Sequence, residues 1–191
     1  MMLWFRNLPQ INMDFSEWTP FIQNNWFRKN YMKFVYLLML AIFLAPNLLG
    51  EGFSFLSTFT LLTLLLIIVA VFIVHEFLHV LVIHNKGDIS LTVKGIFFWI
   101  NTNEILSKKR FWIFMSLPII VLSVLPGIIS CYSSGSIKSL MLFIGWVNLI
   151  ISSSDIVNSF LILIKPNKTV FWRGYYQVKQ YPCIIRHTDN H

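Results

Sequence analysis

The sequence predicts an all-α membrane protein with four transmembrane helices, both termini on the cytoplasmic side, and a short β-hairpin between the second and third helices. Three observations predict it. Only 12% of the 191 residues are charged while 56% are hydrophobic, and a soluble domain carries about 25% charge to keep its surface wet. Four apolar stretches follow one another along the chain, each able to supply the ~20 residues that cross a ~30 Å hydrocarbon layer. Every Lys and Arg except Lys138 then falls on one side of the bilayer, which the positive-inside rule assigns to the cytoplasm. A soluble cytosolic enzyme is excluded. The net charge of +7 is a topology signal rather than a clustered basic face, so nucleic acid is not a partner.

Residues 1–30 mix Arg6, Asp14, Glu17, Arg28 and Lys29 with aromatics and two prolines. That order is not the basic, apolar, small-residue order of a cleavable signal peptide, and the segment reads as an interfacial arm. The first span is expected at Tyr31 to Leu49, the second within Phe53 to Ile83, the third at Phe111 to Tyr132 and the fourth at Leu140 to Ile164. The second stretch exceeds one crossing, so Leu61 to Ile83 is the expected helix. Phe53 to Thr60 then lies in the outer interface or extends a tilted helix. Pro46, Pro118 and Pro126 predict kinks, because neighbouring helices can satisfy the backbone groups that a proline frees.

Residues Asp88 to Asn101 read DISLTVKGIFFWIN. Apolar and polar residues alternate up to Gly95, and an aromatic run follows, which is the pattern of a hairpin with its turn near the glycine; an interfacial loop with aromatic anchors fits the same composition. The chain therefore divides into the arm at 1–30, a four-helix membrane domain at 31–165 and a cytoplasmic tail at 166–191. Cys131 near the outer face and Cys183 in the tail are expected as free thiols, since two cysteines lack the spacing of a disulfide framework or a zinc knuckle.

Ionisable side chains inside a span cost about 2.5–3.5 kcal/mol each on insertion scales, so each is a functional hypothesis. His75, Glu76 and His79 in the second span and Asp155 in the fourth are such groups. The first three form the pattern HExxH on a continuous apolar run. Spacing of i and i+4 places both imidazoles on one helical face, as a shared Zn2+ requires, and leaves Glu76 beside them to act on water. At this composition the motif arises by chance with a probability of about 0.3%. Paired intramembrane histidines can also clamp neighbouring helices, but that reading does not account for the glutamate.

A catalytic zinc site takes three protein ligands and keeps one open position. His84 sits about 140° around the helix from His79 and is a poor third ligand. Asp88 and Glu104 fall in the wet loop. Asp155 matches in depth: His75 stands 11 residues before Lys86 and Asp155 stands 10 before Lys165. At ~1.5 Å per residue, both lie about 15 Å from the cytoplasmic ends of their helices. Around Asp155, positions Asn148, Ser152, Asp155 and Ser159 form one helical stripe. Asn148 and Ser152 are candidates to orient the ligands or to stabilise an oxyanion, and equally fit small-residue helix packing.

HExxH in an apolar span, a basic loop before a span containing Ser116-Leu117-Pro118, and a later helix reading NxxxSSSD at 148–155 together resemble the bacterial membrane family of putative zincin peptidases. They are more distantly similar to the site-2 intramembrane metalloproteases. The aspartate here is followed by Ile156 rather than glycine, a departure from the site-2 pattern. The resemblance covers roughly residues 70–165 and implies a multi-pass protein of the bacterial cytoplasmic membrane. It implies His75, His79 and Asp155 as zinc ligands, Glu76 as catalytic acid and base, and a peptide or transmembrane protein as substrate. A non-catalytic membrane factor of the immunity or chaperone type, or a metal-ion or proton transporter, would draw on the same residue types.

Overall fold

The computed structural model describes residues 3–5, 16–48, 52–84, 89–94, 97–102 and 104–179. Among them the chain is mostly helical. Helix α1 spans Asn25–Leu48 and α2 spans Leu61–Ile83. Helix α3 (Lys108–Ile119) runs through a π-helical turn at Ile120–Val124 into α4 (Leu125–Tyr132). Helix α5 (Gly135–Ile151) is followed by α6 (Ser153–Leu163). Three helical runs, Asn25–Leu48, Leu61–Ile83 and Lys108–Tyr132, are long and apolar enough to cross a membrane, and the bent pair α5 and α6 brings the number to four if it counts as one span.

Local chemistry sets the helix starts. Asn24 Oδ1 accepts the Phe27 N–H at 2.9 Å, a side-chain cap that starts α1 six residues before the expected Tyr31. Thr60 Oγ1 accepts from the Thr63 N–H at 3.3 Å, so α2 opens at Leu61 as expected. The preceding Ser54–Thr58 is a separate 3-10 turn rather than an extension of the helix. Ser107 Oγ accepts from the Arg110 N–H and starts α3 at Lys108, ahead of the expected Phe111. The π-turn begins two residues after Pro118, and Pro126 sits in the first turn of α4.

The expected fourth span is not one helix. Its two halves meet at Ser152 with a bend of 64°. Ser153 Oγ donates to the carbonyls of Ile150 at 2.8 Å and Leu149 at 3.3 Å, a type of back-bonding that bends helices. The stripe of residues 148, 152, 155 and 159 is therefore split across two axes.

The helical layer packs around three small apolar clusters. Phe55, Val71, Phe143 and Val147 form one, with Phe53 and Trp146 against it. Ile83, Leu106 and Phe114 form the second, and Phe21, Ile162 and Phe171 the third. The buried residues of α2 are Val71, His75, His79 and Ile83, one stripe at four-residue spacing. Its other faces leave Leu66, Ile73 and Phe77 about 60% exposed, which suits contact with lipid rather than water.

The hairpin is present. Strand β3 (Ile89–Lys94) pairs antiparallel with β4 (Phe97–Thr102) from Ile89↔Thr102 to Lys94↔Phe97, while Gly95 lies outside the described residues. Strand β1 (Leu3–Phe5) lies parallel against β3. A second sheet was not legible in the sequence. Strands β2 (Thr19–Pro20), β7 (Tyr175–Val178), β6 (Thr169–Trp172) and β5 (Leu106–Ser107) form it in that order, antiparallel throughout. The β6–β7 turn uses Arg173 and Gly174, both at positive φ (43° and 82°), the backbone that twists correctly into a two-residue hairpin. Arm and tail are thus joined rather than separate: Gln23 Nε2 donates to Tyr176 Oη at 2.6 Å, and Gln177 Nε2 to Glu17 Oε2. Lys165 lies 4.2 Å from the centroid of the Tyr176 ring, and burial holds its ammonium below the usual lysine range. Cys131 is exposed and free, while Cys183 and Asp88 lie outside the described residues.

Lys108 clasps the end of α6 to the start of α3. Its ammonium donates to the carbonyls of Leu163 (2.9 Å) and Lys165 and to Asn167 Oδ1, groups that the helix end leaves open. Lys108→Met keeps the stem and removes the donors. It should destabilise the detergent-solubilised protein by about 1–2 kcal/mol, read as a shift in its SDS unfolding midpoint.

Candidate metal centre

The structure brings His75, His79 and Asp155 together as a group that could hold a metal ion. The first two come from adjacent turns of α2, and the aspartate comes from the first turn of α6. All three are buried, with 3%, 5% and 7% of their surfaces exposed. The Ser152 bend makes the third contribution available, because it starts a new helix whose first turn carries Asp155. A helix N-terminus favours a carboxylate there.

The three inward atoms form a nearly equilateral triangle. His75 Nε2 and His79 Nε2 are 3.1 Å apart, and Asp155 Oδ2 lies 3.2 Å from the first and 3.3 Å from the second. Ligands about 2.0–2.1 Å from a tetrahedral Zn2+ are separated by about 3.3 Å. The triangle has the size that such an ion requires.

The protons can be placed by following the hydrogen bonds outward. His79 Nδ1 is 2.7 Å from the Phe114 carbonyl oxygen, which only accepts, so Nδ1 carries the hydrogen. His75 Nδ1 is 2.9 Å from Asn148 Oδ1. The amide is oriented because Asn148 Nδ2 faces the Pro118 carbonyl at 3.1 Å and Ser123 Oγ at 2.7 Å, while that hydroxyl donates to the Gly145 carbonyl at 3.2 Å. Oδ1 must then face His75, and its Nδ1 is protonated as well. Both imidazoles thus turn Nε2 toward the carboxylate. Asp155 Oδ2 is buried and has no hydrogen-bond partner among the described residues. Two imidazole nitrogens and a carboxylate oxygen that converge at this spacing form a donor set that fits zinc.

Of the other residues singled out in the sequence, Asn148 is fully buried and holds His75. Ser152 Oγ stands 3.5 Å from the same Nδ1, at the outer limit of a hydrogen bond. Glu76 points off the buried stripe and is half-buried. His84, at the end of α2, is exposed and outside the group. Sequence reasoning missed the Phe114 carbonyl, Ser123 and Tyr31. Tyr31 on α1 donates to Asn158 Oδ1 at 2.9 Å, one helical turn past Asp155. Only the Phe114 carbonyl had a signal, four residues before Pro118.

Helices long enough to cross a membrane, with two histidines and an aspartate converging between them, define a membrane-type helical protein with a candidate metal centre. The chain belongs to the family described as putative zincin peptidase, whose model matches residues 67–170, more than half its length. The match includes every residue of the centre and its hydrogen-bonded surround from His75 to Asp155. No curated protein and no solved structure matches the chain.

Asn148→Ala removes the acceptor that orients His75 and strands its Nδ1–H in an apolar site. Zinc affinity should fall about 10–100-fold, as measured by competition with a chromogenic chelator.

Proposed function

We propose that this chain is a zinc-dependent, membrane-embedded peptidase that hydrolyses a peptide bond of a membrane-associated substrate near the cytoplasmic face of a bacterial membrane. The observation that carries the reading is the triangle of His75 Nε2, His79 Nε2 and Asp155 Oδ2 beside a glutamate in HExxH spacing. These three atoms would hold Zn2+, which when bound supplies Lewis acidity that polarises a carbonyl and makes water a nucleophile near neutral pH.

Glu76 then acts as the general base. Its carboxylate takes a proton from the attacking water and returns it to the leaving amine as the C–N bond breaks. Partial exposure of Glu76 suits a group that must meet both solvent and substrate. The buried faces of His75 and His79 keep the ligands dry, which strengthens their hold on charge. Both N–H groups of Asn148 are engaged with Pro118 and Ser123, so it serves as a positioning residue, and oxyanion stabilisation falls to other groups.

Arm, middle loop and tail share one sheet through β2, β5, β6 and β7. The same-side placement that the basic residues imply therefore has a structural counterpart, and it supports a cytoplasmic location for these segments with the helices as a multi-pass bundle. A helical substrate hides its amides and must be extended before cleavage. The edge of the β3–β4 hairpin offers backbone partners for an added strand. With β1 on the β3 side, β4 is the edge that accepts it.

Two measurements test the proposal. The purified wild type should contain about one zinc per chain, and Asp155→Ala should lose it. Glu76→Gln should keep the zinc yet lower turnover by at least about 10²-fold, so that uncleaved substrate accumulates in a proteomic comparison of membranes carrying the two forms. A chain without zinc, or full activity in Glu76→Gln, would refute the reading.

A further inference from the structure

We propose that Pro118 is the positioning residue that holds His75 and His79 with Nδ1–H turned outward and Nε2 facing Asp155. The inference deepens the zinc reading above and rests on it only for the identity of the ion.

A proline in a helix interior has no N–H to offer, and its ring pushes aside the carbonyl four residues earlier. Pro118 stands inside α3, and four residues before it is Phe114. The Phe114 carbonyl is the atom that accepts from His79 Nδ1 at 2.7 Å. Any other residue at 118 would present an N–H to that carbonyl and draw it back along the helix axis. The His79 ring also lies against the Phe114 ring, with centroids 4.5 Å apart, so carbonyl and side chain of one residue seat the imidazole.

The opposite side of the same residue serves His75. The Pro118 carbonyl accepts from Asn148 Nδ2 at 3.1 Å. A flipped amide would set two oxygens against each other, so this contact fixes Oδ1 toward His75 Nδ1. Pro118 is fully buried between the two histidine anchors, and a single backbone unit thus orients both rings.

The device recurs elsewhere in the chain. Pro46 lies inside α1, and the carbonyl four residues before it, that of Ile42, accepts from Trp146 Nε1 at 3.0 Å. In both helices a proline releases a carbonyl that a side chain of another helix then uses. Pro46 is remote from the metal ligands and provides the internal control.

The test uses the full chain in detergent, with 15N-labelled histidine, and compares wild type, Pro118→Ala, Pro46→Ala and a form carrying lactate at 118 through nonsense suppression. Lactate has neither the ring nor the N–H. In metal-free protein, Pro118→Ala should lose the hydrogen-bonded Nδ1–H resonance of His79, with helical circular dichroism unchanged, because alanine favours a helix more than proline does. Its zinc affinity should fall about 10–100-fold. Lactate at 118 should restore both signals, and Pro46→Ala should leave both as in wild type. Wild-type resonance and affinity in Pro118→Ala, a lactate form as impaired as the alanine form, or the same loss in Pro46→Ala would each overturn the proposal. If the wild type takes up no zinc, the peptidase reading fails, while the histidine resonances still judge the role of Pro118.

Discussion

The structure depends on a constraint at its centre: two imidazole nitrogens and a carboxylate oxygen stand 3.1–3.3 Å apart in a buried, apolar place. The surrounding protein holds this group together from outside. Phe114 and Asn148 take the Nδ1 hydrogens. Val71 and Ile83, one turn beyond the histidines on either side, anchor the stripe of α2 in separate apolar clusters. The imidazoles therefore cannot swing away from one another without disturbing packing above and below them.

The helices provide this polar surround by being irregular. A regular helix spends its carbonyls on itself and has nothing to offer a neighbouring side chain. Pro118 and Pro46 withhold an N–H and release a carbonyl each, to His79 and to Trp146. Ser152 and Ser153 break the fourth helical run, and the break places Asp155 at a fresh helix N-terminus, where a buried carboxylate is best tolerated. Where water cannot repair a freed backbone group, the Phe114 and Ile42 carbonyls find partners in side chains of other helices.

Much of this was legible in advance. Helix α2 has the predicted bounds because Thr60 caps it and all but a few of its residues are apolar. The hairpin follows from alternation about Gly95, and the triad of His75, His79 and Asp155 follows from the cost of ionisable groups in a span. The four-stranded sheet was not legible: β2 and β5 have two residues each, too short to show a period, and their partners lie far away in sequence. The bend at Ser152 was also hidden, since a run of serines suits a packed helix as well as a broken one.

The sequence by itself determined which residues form the candidate metal group and the helical spacing of its histidines, because the i and i+4 geometry of α2 is local and the apolar background makes the exceptions visible. Tertiary structure alone decided which nitrogen of each histidine carries its hydrogen. That choice is made by the Phe114 carbonyl and the Asn148 amide, on helices 35 and 73 residues away from the histidines they hold. Hydrogen-bond direction depends on what lies opposite a group in space, and no periodicity along the chain records it.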